Sequence, residues 1–178
     1  MKRNTSFVLI LWLAAVGCLA QAGDTRKGTS GGAKGHVMLS PEHLKWGPIN
    51  PASIQGTPPA DFPPLKSQVA VVSGDPSKAG SPFVIRIKTP DGERVPPHWH
   101  PQDENITVLQ GTFFLGTGEK FDHGSGHELK VGSYAKMPKN TWHFAWTKGE
   151  TIVQVHGVGP FVVNFVKIPE AAQKTPSQ

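Results

Sequence analysis

The sequence predicts an all-β domain, a sandwich or a barrel, in which short strands are joined by tight turns. Its 178 residues include 20 glycines and 17 prolines, a content that favours turns over long helices. From residue 68 onward, short runs of alternating apolar and polar residues recur at regular spacing, and no useful stretch has the helical period. This length suits one domain with its own hydrophobic core.

The predicted strands show which side chains face inward. They cover residues 68–73, 83–88, 104–110, 112–115, 128–131, 133–137, 142–147, 151–158 and 161–166. Alternation places Ile106 and Val108 on the face of Glu104, and we expect inward-facing side chains also at Phe114, Tyr134 and Met137. The opposite face, for outer or interface packing, is predicted for Trp99, Trp142, Phe144 and Trp146.

Residues 1–22 have the features of an export signal. Lys2 and Arg3 form a positive start, residues 7–20 are uncharged and mostly apolar, and Ala-Gln-Ala at 20–22 fits a cleavage site. The apolar segment is too short to span a membrane comfortably, so we predict an exported protein, periplasmic or secreted, with no integral span. Cys18 ends a lipobox-like sequence, which leaves lipid anchoring as the alternative.

Two further segments precede the domain. Residues 23–35 are polar and rich in glycine, as a flexible tether would be. Residues 36–66 begin with a short predicted strand at 36–39 and one helical turn that extends to Trp46, and then become rich in proline. We interpret 23–66 as a tether and an extended arm, because proline cannot donate to a sheet. The β domain is predicted over 67–168, and a frayed tail over 169–178.

The net charge and the cysteine content exclude one class of partner and one source of stability. The formal net charge is +5, and the lysines and arginines are scattered, which predicts a basic surface without a nucleic-acid partner. The single cysteine cannot form an internal disulfide. Stability must therefore come from packing, and from metal if one binds.

The sequence around His98, His100 and Glu104 predicts a metal site. Histidines two residues apart on an extended segment point to one face, and a bend after them can bring the glutamate back. A downstream turn, Pro138 to Thr141, would place the ring of His143 beside the first three groups. Three imidazoles and a carboxylate can hold one divalent transition metal (Fe, Mn, Ni, Cu or Zn) with two open positions.

Both stretches resemble the two motifs of the cupin superfamily. The first motif, a glycine, five residues, His-x-His, three or four residues, Glu, six residues and a glycine, is matched at Gly92, His98, His100, Glu104 and Gly111. The second is matched at Gly132, Pro138 and His143, with departures at Asn140, where glycine is usual, and at Thr147, where asparagine is usual. Asparagine tolerates the left-handed conformation that the turn needs, so Asn140 is a mild change.

This resemblance, closest to exported single-domain bacterial cupins, implies a jelly-roll barrel with the metal inside. It also implies a small-molecule ligand or substrate, a homodimer and, with this ligand set, dioxygenase-type chemistry first among several reactions. Glu104 would be a ligand that could also take a proton. His156 is a candidate general base if it lines the pocket, although a hydrogen-bonded structural histidine is the stronger alternative. Two non-enzymatic readings stay open: a metal- or ligand-binding sensor module, and a stable scaffold.

Overall fold

The computed structural model describes residues 36–165, so the predicted signal, tether and tail lie outside the described residues. The strands are β1 (Gly47–Pro48), β2 (Ile54–Gln55), β3 (Gln68–Gly74), β4 (Pro82–Thr89), β5 (Arg94–His98), β6 (Glu104–Thr117), β7 (His127–Lys130), β8 (Tyr134–Met137), β9 (His143–Val158) and β10 (Val163–Asn164). Short 3₁₀ turns lie at Pro41–His43, Pro51–Ser53 and His123–Ser125. The predicted strand at 36–39 is wrong, since those residues are irregular.

One antiparallel sheet of eight strands folds around the core, which confirms the predicted all-β barrel. The strand order is β1-β3-β4-β9-β6-β7, while β5 pairs with β9 and β8 pairs with β6. The long strands β6 and β9 pair with each other from Asn105↔His156 to Thr117↔His143. Each therefore serves two walls of the barrel, and both metal-site motifs lie on or next to these two strands.

The continuity of β6 and β9 corrects the sequence prediction, which divided each into two strands. The β6–β9 register shifts between Val108 and Gln110 and again between Gln110 and Thr112. Such irregularities bend a strand without reversing it, so the chain turns a corner of the barrel where the prediction placed a break between two strands. Gly111, with φ of +72°, lies at this corner.

The same corner changes which side chains face inward after residue 111. Phe113 and Leu115 line the interior, while Phe114 stacks on Trp146 outside, with ring centroids 4.9 Å apart. The prediction that Phe114 faces inward is therefore wrong, because a bulge shifts the alternation by one residue. Tyr134 was also assigned to the wrong side and is 57% exposed.

Phe144, on the outside of the barrel, is covered by other residues of the same chain. Phe144 is fully buried, and its ring packs against Phe121 from the loop after β6, with centroids 5.0 Å apart. Gly116 permits this packing, because a Cβ there would lie 2.4 Å from the Phe144 ring. Phe144 and Trp146 do not line the barrel interior, as predicted, and Phe144 needs no partner subunit to cover it.

The proline-rich arm is paired with the barrel of its own chain. β1 pairs antiparallel with β3, and β2 pairs parallel with β10. The guanidinium of Arg94 lies 4.9 Å from the ring centroid of Phe62, and its Nη2 donates to the carbonyl of Asp61 at 3.2 Å. The arm is therefore a wall of the domain.

We expect Gly111→Ala to destabilise the fold by about 3 kcal/mol or more, because it combines backbone strain with a clash. A Cβ on Gly111 would lie 2.5 Å from the Glu150 carbonyl oxygen. Gly132 is the matched control: its φ is +88°, but a Cβ there meets nothing within 4 Å, so Gly132→Ala should cost about 1–2 kcal/mol. Urea unfolding of both variants measures the difference, and equal losses would contradict the clash.

Candidate metal centre

His98 and His100 lie where β5 leaves the sheet. Pro96 and Pro97 favour the extended chain that ends β5 at His98. Trp99 then forms an isolated bridge with Asn164. Both histidine rings are buried and line one interior cavity, as their spacing predicts.

His143 reaches the same place from a separate turn. Asn140 adopts φ of +61°, the left-handed conformation that its position in the motif predicts. β9 then begins at His143, directly opposite His98 in the strand register. The ligand atoms of His98, His100 and His143 all lie within 4.8 Å of one another, and all three residues are buried.

The hydrogen bonds of the three rings determine their tautomers. Nδ1 of His98 lies 2.7 Å from the Pro96 carbonyl, Nδ1 of His100 2.7 Å from that of Val162, and Nδ1 of His143 2.9 Å from that of Thr141. A carbonyl oxygen can only accept, so each Nδ1 must carry the proton. In a neutral ring of this tautomer Nε2 carries a free lone pair, which is the usual arrangement for a metal-binding histidine.

Glu104 lies beside two of these Nε2 atoms. Its Oε2 is 3.3 Å from His143 Nε2 and 3.6 Å from His100 Nε2. Within residues 36–165, the buried side-chain atoms that lack a hydrogen-bond partner are His100 Nε2 and Glu104 Oε2. Buried acceptors that face one another are unfavourable unless a cation or a proton lies between them. The donor set therefore fits a divalent transition metal.

Burial also sets the charges of the donors. Burial lowers the pKa of His98 well below its usual value, and the neighbouring His143 and His100 lower it further. Burial lowers the pKa of His100 as well, against the opposing effect of Glu104. Burial acts to raise the pKa of Glu104, but His100 and His143 more than offset it, so the pKa is lowered. Near neutral pH, His98 and His100 are thus neutral and Glu104 is ionised, which are the forms that bind metal.

The cavity next to these groups has a volume of about 90 Å³ and mostly apolar walls. Ile49 and Leu65 from the arm line it together with core residues of the barrel. A second cavity of about 440 Å³ lies between arm and barrel, and Ile49, Leu65 and Ser67 line both. A ligand that approaches through the larger cavity would therefore meet the arm on its way to the histidines.

The segment after β9 supplies part of the site that the sequence analysis missed. Phe161 stacks on His100 with centroids 4.5 Å apart, the Val162 carbonyl accepts from that ring, and Phe165 lies 6.1 Å from the ring centroid of His98. The segment was predicted only as a strand. The alternation of Phe161, Val163 and Phe165 on one face was the signal available in the sequence.

His156, the candidate general base, does not line this cavity. Inward positions of β9 near it are Val153 and Val155, so alternation directs the His156 side chain to the outer face of the sheet. Its carbonyl accepts from the Asn105 side chain at 3.1 Å. This bond uses the backbone and not the ring, so it does not test the structural alternative, and no catalytic role follows from the position of His156.

Asp103 connects the two ligand-bearing segments. Its Oδ1 accepts from the Lys139 backbone N–H at 2.9 Å, and its Oδ2 lies 2.8 Å from Lys136 Nζ. The backbone N–H of Asn140 also donates to the His100 carbonyl, at 2.8 Å. The turn before His143 is therefore fixed relative to the segment that carries His100.

We expect Asp103→Ala to weaken metal binding about tenfold, because loss of a group that orients ligands typically costs 10- to 100-fold in affinity. Competition of the purified protein with a metallochromic chelator measures this change. The matched control is Asp75→Ala, which removes another turn carboxylate, bonded to Ser77, at a place away from the site. An Asp103→Ala affinity equal to that of the control would refute a connecting role.

The fold and site together define an antiparallel β-barrel with a buried, metal-type donor set inside it. Residues 85–159 match the family described as Cupin domain. This segment carries both motifs, so the resemblance to the cupin superfamily that the motifs predict is confirmed for residues 85–159. None of the helices within residues 36–165 is long and apolar enough to cross a membrane.

Solved structures share the fold at low sequence identity. A polyketide cyclase, RemF from Streptomyces resistomycificus, is 18% identical and superposes with a TM-score of 0.53, covering 76% of this chain and 88% of its own. An RmlC-like cupin from Shewanella frigidimarina NCIMB 400 is 14% identical with a TM-score of 0.50, covering 69% of this chain and 89% of its own. No curated protein sequence matches this chain significantly. At these identities the likeness extends to the fold alone.

Proposed function

We propose that this protein is a metal-dependent cupin enzyme that acts on a small organic molecule, with dioxygenase-type chemistry favoured. His98, His100 and His143 would hold one divalent transition metal, and Glu104 would complete the set. In line with the N-terminal signal read from the sequence, we propose that it acts outside the cytoplasm. The observation that carries the proposal is the convergence of three histidines and the Glu104 carboxylate in a buried space.

A redox-capable metal in this set would supply Lewis-acid polarisation of a substrate oxygen and, with dioxygen as co-substrate, electron transfer. The chain contributes the surroundings. Apolar side chains from both walls of the barrel exclude water, and Phe161 covers one face of His100. Among the described residues that line the cavity, Glu104 is the only carboxylate, so it is also the group placed to accept a proton from a bound substrate.

The cavities support a compact, mainly apolar substrate. The inner space of about 90 Å³ holds only a few non-hydrogen atoms, whereas the outer space of about 440 Å³ falls in the usual range for small-molecule sites. A substrate would thus place its reacting end in the inner cavity and its remainder against the arm.

The small inner cavity also favours the second candidate, a module that binds a metal or ligand without turnover. In that case four protein ligands would hold zinc tightly and leave little room for substrate or exchangeable water. The bound metal separates the two candidates, because iron, manganese, nickel or copper with open positions is the set expected of an oxidative enzyme.

Elemental analysis of protein purified from its native source tests the proposal. We expect close to one divalent metal per chain and oxygen uptake with members of a panel of phenols, diketones and organic acids. Tightly bound zinc without turnover would favour the binding module. Metal well below one per chain that added metal does not restore would remove the basis of both.

A further inference from the structure

We propose that Asn164 is a positioning residue of the metal centre, which holds the ring of His100 in its ligating orientation through the carbonyl of Val162. The inference rests on the proposed metal site. It concerns a side chain near the C-terminal end of the described chain that touches neither the metal position nor the cavity. Asn164 is only 3% exposed, which is unusual for an amide side chain and requires that its polar atoms be satisfied.

The amide nitrogen of Asn164 lies between two backbone carbonyls. Nδ2 donates to the Trp99 carbonyl at 3.2 Å and to the Val162 carbonyl at 3.4 Å. Because both partners are oxygens that only accept, the amide orientation is unambiguous. One of them, Val162, accepts the His100 Nδ1 proton at 2.7 Å. A carbonyl oxygen has two lone pairs, so it can serve the histidine and the asparagine together.

Asn164 also fixes the residue between the two ligand histidines. The backbone N–H of Asn164 donates to the Trp99 carbonyl at 3.0 Å, and the Trp99 N–H donates to the Asn164 carbonyl at 3.2 Å. With the side-chain bond, three hydrogen bonds thus join Asn164 to Trp99. Rotation of the chain at residue 99 would turn both His98 and His100, so these bonds restrict the orientation of both rings.

The connection continues into the proline-rich arm. β10, which contains Asn164, pairs with β2 of the arm, and the Phe165 N–H donates to the Gln55 carbonyl at 2.9 Å. β10 has only two residues, so backbone pairing alone holds it weakly. The Asn164 side chain adds a third hydrogen bond to Trp99 and one to the Val162 carbonyl, and so helps to hold that carbonyl against His100.

Asn164→Ala in the full-length protein tests the inference with two measurements. The first is the Kd for Co²⁺ by chelator competition, which we expect to rise 10- to 100-fold. The second is the ¹⁵N chemical shift of the His100 ring nitrogens in the metal-free protein. The wild type should show a protonated Nδ1, and the variant a mixture of tautomers, because the Val162 acceptor is no longer held in place. Asn164→Ser, which keeps one short donor, should fall between the two.

Thr147→Val is the matched control, because it also deletes a buried side-chain donor to a backbone carbonyl. Thr147 is 3% exposed, and its Oγ1 donates to the Pro90 carbonyl at 2.6 Å, away from the histidines. It should lower the melting temperature yet leave the Co²⁺ affinity within about twofold. Asn164→Ala would overturn the inference if it matched this control in both measurements.

A failure of the proposed metal site can be told apart from a failure of the role proposed for Asn164. If wild-type protein binds no Co²⁺, the proposed function fails, and the ring-nitrogen shifts of His100 alone decide whether Asn164 positions that ring. If Asn164→Ala does not fold, Asn164→Ser is measured in its place, and a wild-type affinity and tautomer in that variant contradict the inference.

Discussion

His143→Ala is expected to abolish stoichiometric metal binding and, with it, the stabilisation that metal gives the fold. His143 lies opposite His98 in the register, and its Nε2 is 3.3 Å from Glu104 Oε2, so its ring joins the histidine donors to the carboxylate. A metal that binds only the folded state, at about a thousand times its Kd, stabilises that state by about 4 kcal/mol. We therefore expect a clear rise in the melting temperature of wild-type protein on addition of metal, and none for His143→Ala.

His156→Ala is the matched control for this experiment. It removes a histidine from the same strand, β9, but from the outer face, where the side chain does not line the cavity. Its metal content and its metal-induced thermal shift should equal those of the wild type. Loss of metal from both variants would show that any histidine deletion on β9 disturbs the barrel, and retention by His143→Ala would exclude His143 as a ligand.

Glu104→Gln is expected to have opposite effects on the metal-free and metal-loaded protein. Without metal, Glu104 is a buried carboxylate whose Oε2 has no hydrogen-bond partner and faces histidine acceptors. A glutamine amide can donate to one of these Nε2 atoms, so in chelator the variant should be more stable than the wild type by about 1–2 kcal/mol. With metal present the order should reverse, because an amide is a poorer ligand than a carboxylate.

Urea unfolding of the wild type and the variant, in chelator and in saturating metal, measures the change in stability in each condition. Glu128→Gln is the control, because that carboxylate is exposed and paired at 3.9 Å with Lys130, so its loss should matter little in either condition. A destabilised Glu104→Gln in chelator would mean that the carboxylate is satisfied without metal, in contradiction to the proposed site.

The spacing of glycines and histidines predicted the ligand segments because local rules determine them. Two extended residues bring His98 and His100 to one face, and a left-handed turn at Asn140 precedes His143. The all-β barrel likewise followed from local alternation and turn signals. These features depend on contacts within a few residues of the chain, which a sequence pattern records directly.

Features that depend on distant contacts were not predicted. The corner at Gly111 keeps β6 in one piece and reverses the inward face after it, so Phe113 replaces Phe114 in the core. Only the pairing of β6 with β9, about forty residues away, shows that the chain bulges at Gly111 and continues as one strand. The role of Val162 is carried by a backbone carbonyl, which leaves no trace in the residue type.

The late position of Val162 in the chain has a consequence for the moment during synthesis at which the proposed metal centre can form. His100 depends on the Val162 carbonyl, and Val162 leaves the ribosome after nearly all of the described domain. A nascent chain that stops short of residue 162 carries every proposed metal ligand but lacks the acceptor that sets the His100 tautomer. The proposed centre can thus be completed only after residue 162 has been made, so metal capture should follow synthesis of the described barrel.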